Sequence, residues 1–237
     1  MDSSLWVAKT GLDAQQRRMT VVANNLANVN TTGFKRDRAV FEDLLYQTIR
    51  QPGAQVGQDA NSPTGLVLGT GTRVVATEKI HSQGNMIQTD NALDLAIDGD
   101  GFLQTLRQDG NIGYTRDGSL KLNNVGQLVT ASGDLLQPAI TIPANASSIT
   151  IGKDGTVSVQ TFDQAAGQVV GNIQVASFIN PAGLQAMGGN VYVQTAASGE
   201  AQVLVPSQDG AGSLVQGALE ASNVNVVESM VNMIETQ

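Results

Sequence analysis

The chain has 237 residues, 41% apolar and 14% charged, with a formal net charge of −8; this is ample for a buried core and a poor match to a disordered polyelectrolyte. It has no cysteine and a single histidine, His81, which excludes disulfides, thiolate zinc and iron–sulfur sites, cysteine nucleophiles and any metal held by two histidines. The acidic balance leaves no basic footprint for nucleic acid.

The N-terminus reads Met1-Asp2-Ser3-Ser4, then four apolar residues before Lys9. It lacks the cationic start, apolar core and cleavage site of a secretory signal peptide. No apolar run approaches the ~18 residues of a membrane helix, so no membrane insertion is expected. These rules predict a cytoplasmic protein, or one that leaves the cell by a route using no cleaved peptide. Charge is uneven along the chain. Residues 1–50 carry a net +2 and residues 51–153 a net −3, and the remainder, which has no basic residue after Lys153, carries −7. Such asymmetry reports a partner, and the other end of the same chain is one candidate.

Residues 1–34 predict an N-terminal helix. Ser3 or Ser4 can cap it, and Leu5, Leu12, Met19 and Leu26 recur every seven residues, with Ala8, Gln15, Val22 and Val29 three later. That is a coiled-coil seam rather than the broader stripe of a globular core helix, although an ordinary amphipathic helix packed on its own domain also fits. Gly11 costs the helix about 1 kcal/mol against alanine, and beside Ala8 it permits close approach of another helix. The helix should fail around Asn28 to Gly33, where Asn, Thr and Gly compete for its hydrogen bonds.

Residues 35–75 read as a connecting segment. Phe41, Leu44, Leu45 and Ile49 suit a short amphipathic helix, and the Gly/Pro-interrupted stretch 51–66 suits an extended loop. From 76 to 214 the apolar period drops to two. Short runs such as Phe102 to Leu106, Val191 to Gln194 and the hairpin Ser148 to Val159, turning at Gly152-Lys153-Asp154-Gly155, predict an antiparallel β domain.

Residues 215–237 predict a C-terminal helix, with Ala218 to Gln237 free of Gly and Pro. Val226, Met230, Met233 and Gln237 form its seam, broadened by Val227 and Ile234. Its charges, Glu220, Glu228 and Glu235, are all negative, whereas the first helix carries Lys9, Arg17 and Arg18 against Asp13. Two such helices should pair, the apolar seam supplying stability and the charges choosing partner and register. The pattern stops at Gln237 without a capping signal, which leads us to expect a helix cut short. The fold class is therefore mainly β with helical termini.

Sites for chemistry are scarce. Asp94, Asp98, Gly99 and Asp100 superficially resemble a calcium loop, but Ala96 and Thr105 occupy positions that need ligands. Gly69-Thr70-Gly71 lacks the rest of a nucleotide fingerprint, and no GxSxG elbow exists. His81 near Glu78 reads as structural. Trp6 is a packing anchor, within the chain or on another copy. Asn24, Asn25, Asn28 and Asn30 can fix register between packed helices, end the helix, or do both. A cell-wall-glycan module would want clustered aromatics, yet the nine Phe, Trp and Tyr are scattered; a muramidase would need a selected carboxylate pair, and Glu78 and Glu200 are candidates only by default. No cofactor, metal or catalytic residue is expected.

The run NNLANVNTTGFKR (Asn24 to Arg36), with Asn24, Asn25, Leu26, Asn28, Thr32, Gly33 and Phe34 at its heart, closely resembles the rod–hook family of bacterial flagellar axial proteins. The opening Leu5, Ala8, Gly11, Leu12 and Met19 is similar to that family's rod signature. The ending Ser222 to Glu228 and on to Met233-Ile234 is similar to its C-terminal signature, and GDGF (Gly99 to Phe102) and YTRDGS (Tyr114 to Ser119) match its β domain. Within the family, Ala39 to Gln55 looks like the distal-rod branch; a proximal-rod or hook-type subunit is the alternative. The resemblance implies paired terminal helices in an inner-tube (D0-like) domain, an extended connection and an outer (D1-like) β domain. It implies subunits that assemble helically into a hollow, rigid shaft across the periplasm, exported through the flagellar export apparatus. The implied partners are copies of the chain, neighbouring rod and hook proteins, that apparatus and the rings around the rod. Family members continue the C-terminal helix further, which implies a weakened inner-tube contact in this chain.

Overall fold

The computed structural model describes residues 3–52, 64–162, 164–208 and 210–236. Contacts divide the chain into two units: residues 1–27, 37–79 and 225–237 form one, and residues 28–36 and 80–224 form the other.

The first unit holds both helices, α1 (Ser3–Ala27) and α2 (Val226–Thr236), with strands β1 (Asp37–Asp43), β2 (Tyr46–Arg50), β3 (Leu66–Gly69) and β4 (Thr72–Lys79). The strands make one long antiparallel ribbon. β1 pairs with β4 from Asp37↔Lys79 to Asp43↔Thr72, and β2 continues against β3 from Tyr46↔Gly69 to Arg50↔Leu66. Hydrogen bonds from Leu44 N–H to Gly71 C=O (2.9 Å) and from Thr70 N–H to Leu45 C=O (3.2 Å) bridge the two halves. The helix expected from Phe41, Leu44, Leu45 and Ile49 is therefore strand. Their spacing imitates a helical face over a short window, but Val40, Phe41, Tyr46, Thr48 and Ile49 favour an extended backbone, and the pairing partner lies in residues 66–79. Most of the stretch 51–66, expected as an extended loop, lies outside the described residues.

Helix α1 runs under the ribbon's first half. Gly71, at φ +121°, makes that approach possible, because a Cβ there would fall on the Thr10 side chain. α1 ends at Ala27, at the start of the Asn-Thr-Gly stretch expected to stop it. The C-terminal helix is shorter than the sequence suggests. It begins at Val226 because Asn225 caps it, Oδ1 accepting the N–H groups of Val227 (3.0 Å) and Glu228 (3.3 Å). Residues 218–220, helical by propensity, are instead claimed by strand pairing.

The second unit is the β domain. Its strands are β5 (Met86–Gln88), β6 (Leu95–Asp98), β7 (Phe102–Leu106), β8 (Ile112–Thr115), β9 (Lys121–Leu122), β10 (Leu128–Val129), β11 (Leu135–Gln137), β12 (Ala146–Ile151), β13 (Thr156–Thr161) and β14 (Gln164–Asn172), followed by β15 (Val175–Ser177), β16 (Gln185–Gly188), β17 (Val191–Val193), β18 (Gln202–Leu204), β19 (Ser213–Gln216) and β20 (Ala218–Glu220). The main sheet runs β16-β17-β8-β7-β11-β10-β9, with β15 also on β7 and β18 on β15. β12-β13-β14 form a second sheet, β19 pairs β6, and β20 pairs β5. The chief core joins Leu95, Ile97, Leu103, Leu128 and Leu136 to Ile151, Val157 and Val159 of the second sheet. A smaller aromatic cluster gathers Phe102, Tyr114, Phe178 and Tyr192. The domain boundaries expected at 35, 76 and 214 accordingly shift: residues 28–36 and 215–224 belong to the β domain, and residues 37–79 to the helical unit.

Candidate assembly surfaces

The two units differ sharply in how they bury apolar side chains. Both core clusters lie in the β domain. Among the described residues of the helical unit, Ala14 is the one buried apolar side chain.

The predicted seam on α1 is engaged in its second half only. Met19, Val22 and Leu26 are half-buried, whereas Leu5 and Leu12 are 67% and 74% exposed and Ala8 is exposed too. The face this unit covers runs through Ala14, Arg18 and Asn25 instead. On α2, Val226 and Met233 are half-buried while Met230 (51%) and Ile234 (73%) face outward. Leu5 and Leu12, expected to bury against Val226, Met230, Met233 and neighbouring subunits, are exposed in the single chain. Gly11 has nothing within 4 Å of where a Cβ would stand, and a cleft of about 260 Å³ opens beside it between Ala14, Gln15, Arg18, Phe41 and Thr72.

The charges also act differently from the pairing expected. Arg17 pairs with Asp13 on its own helix (3.3 Å), and Arg18 donates to the amide oxygen of Asn232 on α2 (3.3 Å). Trp6 is exposed and holds the Lys9 ammonium 5.5 Å above its ring.

A second apolar surface was not foreseen. The far half of the ribbon exposes Leu45 (87%), Tyr46, Ile49 (62%), Leu66, Val67 and Leu68, which occupy both faces because alternate residues point opposite ways. A lone two-stranded hairpin is marginal in water.

The asparagine-rich motif has a mechanical role at both ends. Asn25 is buried, and its side chain grips the first residue of β1 twice: Nδ2 donates to the Asp37 carbonyl and Oδ1 accepts the Asp37 N–H, each at 2.8 Å. Asn24 is exposed, and Asn28 opens the turn that carries the chain on, its carbonyl accepting from Thr31 N–H at 3.1 Å. Within the β domain Thr32 Oγ1 donates to Asp117 (3.0 Å), and the Phe34 carbonyl accepts from Asn223 N–H (3.4 Å). Gly33, at φ +68°, puts its missing Cβ 2.8 Å from the backbone of Arg116.

Sequence reasoning missed a buried charge cluster. Lys35, Arg116 and Glu220 are 0%, 4% and 1% exposed. Glu220, expected among the charges of the C-terminal helix, lies inside instead, accepting from Lys35 Nζ and from Arg116 Nη1. Burial pushes the Lys35 ammonium below the ordinary lysine value, with Glu220 opposing that shift. The remaining chemical candidates are structural. Asp94 accepts from Thr89 Oγ1 (2.7 Å) and Asn91 Nδ2 (3.0 Å) in a turn. His81 stands edge-on to Phe102 and Tyr192, 5.5 and 5.6 Å between centroids. Glu78 pairs with Arg38 at 2.8 Å.

Three family models match in chain order. They are the flagella basal body rod protein over residues 5–35, the flagellar hook protein FlgE/F/G D1 domain over 96–159, and the flagellar basal body rod FlgEFG protein C-terminal region over 215–237. The flagellar basal-body rod protein FlgG of Buchnera aphidicola from Schizaphis graminum is 54% identical over all 237 residues of this chain and 91% of its own length. FlgG of Caulobacter vibrioides is 46% identical over 99% of this chain and 90% of its own, and FlgG of Borreliella burgdorferi 45% identical over 100% and 90%. The chain belongs to the FlgG family. It is a structural subunit of the flagellar basal-body rod, not an enzyme. The matched terminal segments coincide with α1 and with the stretch from β19 through α2, and the matched middle with the two-sheet core. FlgG-family membership accounts for a chain whose notable surfaces are apolar faces rather than a catalytic cleft.

Proposed function

We propose that this chain is a distal-rod subunit that polymerises helically with its own copies into a hollow, rigid shaft, carrying torque from the motor towards the hook. The observation that carries this reading is the outward-facing apolar row on the helices. Leu5, Leu12, Met230 and Ile234 are all at least half exposed, on a unit with almost no core of its own. Ala8 and Gly11 leave room for a neighbouring helix to approach closely. The contacts do not close on one subunit, and head-to-tail contacts that do not close build filaments. On this reading the helices line an inner tube, the β domain stands outside it, and the exposed ribbon wedges between copies. The shaft spans the periplasm, its subunits arriving by the flagellar export apparatus, and it meets neighbouring rod and hook proteins and the rings around it.

Negative-stain imaging of the concentrated protein tests this reading. Straight tubes with a central lumen are expected; dispersed subunits or shapeless aggregates over the whole accessible concentration range would contradict it.

A further inference from the structure

Three charges from distant parts of the chain meet inside the β domain. Glu220 Oε1 accepts from Lys35 Nζ (2.5 Å), 185 positions away, and from Gly84 N–H (2.8 Å). Its Oε2 accepts from Arg116 Nη1 at 3.1 Å. The two cations are held from behind as well: Lys35 Nζ donates to the Ser82 carbonyl and Arg116 Nη2 to the Gly99 carbonyl, both at 2.8 Å, with the guanidinium 5.5 Å from the Phe102 ring centre. The backbone runs in parallel with this charge cluster. Gly33 N–H donates to the Glu220 carbonyl (2.8 Å), Arg36 N–H to Asn223 Oδ1 (2.8 Å), and Asn223 Nδ2 to the Ile80 carbonyl (2.7 Å).

We propose that Lys35, Arg116 and Glu220 form a latch that makes the seating of the chain's two ends on the β domain mutually dependent. Residues 33–36 seat only with residues 220–223 in place, and conversely. The physical reason is asymmetric. A buried ion pair adds little net stability over apolar packing, but removing one partner strands an uncompensated buried charge, which is strongly destabilising. Without Glu220, two buried cations lose the carboxylate that both of them contact. Without residues 33–36, Glu220 loses its closest donor and its backbone partner together. A half-seated subunit therefore pays nearly the full cost of an unseated one. Since residues 33–36 follow α1 and residues 220–223 precede α2, the latch presents both assembly helices together or neither. That consequence rests on the polymerisation reading above, whereas the latch itself does not.

Amide hydrogen exchange on the dilute monomer tests the latch, using Lys35→Met and Glu220→Gln. In Lys35→Met, exchange at Gly33, Arg36 and Asn223 is expected to quicken together by ~10-fold or more, while Leu103 and Val159 in the core stay within about twofold. Glu220→Gln should loosen the same amides, and the double variant should be little worse than the worse single, as groups acting in one unit require. Lys35→Met leaves Glu220 balanced by Arg116 and so decides the matter if Glu220→Gln does not fold. Loosening confined to residues 33–36, with Asn223 still protected, would overturn the latch, as would unchanged exchange at both ends. A native protein that never polymerised would remove the assembly reading and leave the exchange result standing.

Discussion

Leu12→Asp combined with Met230→Asp is expected to leave the melting of the β domain unchanged while raising the concentration needed for polymerisation by ~10³-fold or more. In the single chain Leu12 is 74% and Met230 51% exposed, and exposed substitutions usually move stability by no more than about 0.5 kcal/mol. In a polymer the same positions sit in an apolar seam. Each loses roughly 1.5–3 kcal/mol of apolar burial and places a carboxylate in an apolar contact. Calorimetry on the monomer and sedimentation of the assembled fraction separate the two effects. Polymers forming at the native concentration would mean that the seam is not an interface.

Deleting residues 51–66 is expected to leave a folded subunit that still polymerises into a softer or curved filament. The deletion removes the residues that join β2 to β3, together with Leu66 of β3, and leaves β1, β4 and the β domain, which contain the unit's pairing register and both buried clusters. Stiffness in a close-packed polymer comes from many lateral contacts, so losing the segment between β2 and β3 from every subunit shows in bending before it shows in folding. Persistence lengths from images of deletion and native filaments measure the difference. Deletion filaments as straight as native ones would take the wedge role away from the ribbon.

What the sequence revealed was governed by range. Phe102 to Leu106 appears with the limits its alternation suggests, and the hairpin around Gly152 to Gly155 forms as expected, since strand period and turn chemistry are local. Helix α1 is likewise written in its heptads. The ribbon was not readable: Phe41, Leu44, Leu45 and Ile49 carry a helix-like spacing, and only their partner strands across the stretch 53–63 reveal them as extended. Ala218 to Glu220 failed for the same reason, because β5 and the latch outbid helix propensity. The apolar seam was legible as a pattern, but which of its residues the chain itself covers depends on how α1 packs against the ribbon and α2. The buried charges were least legible of all. Nothing local marks Glu220 as interior; the signal is its distant pairing with the Lys35 that ends the asparagine-rich motif.

The seam is tested most directly by the reactivity of a thiol at position 12. The chain has no cysteine of its own, so Leu12→Cys carries a single, unambiguous probe for maleimide labelling. A seam whose first half is covered only between copies predicts fast labelling in the dilute subunit and strong protection after polymerisation. Equal labelling rates in subunit and polymer would contradict them.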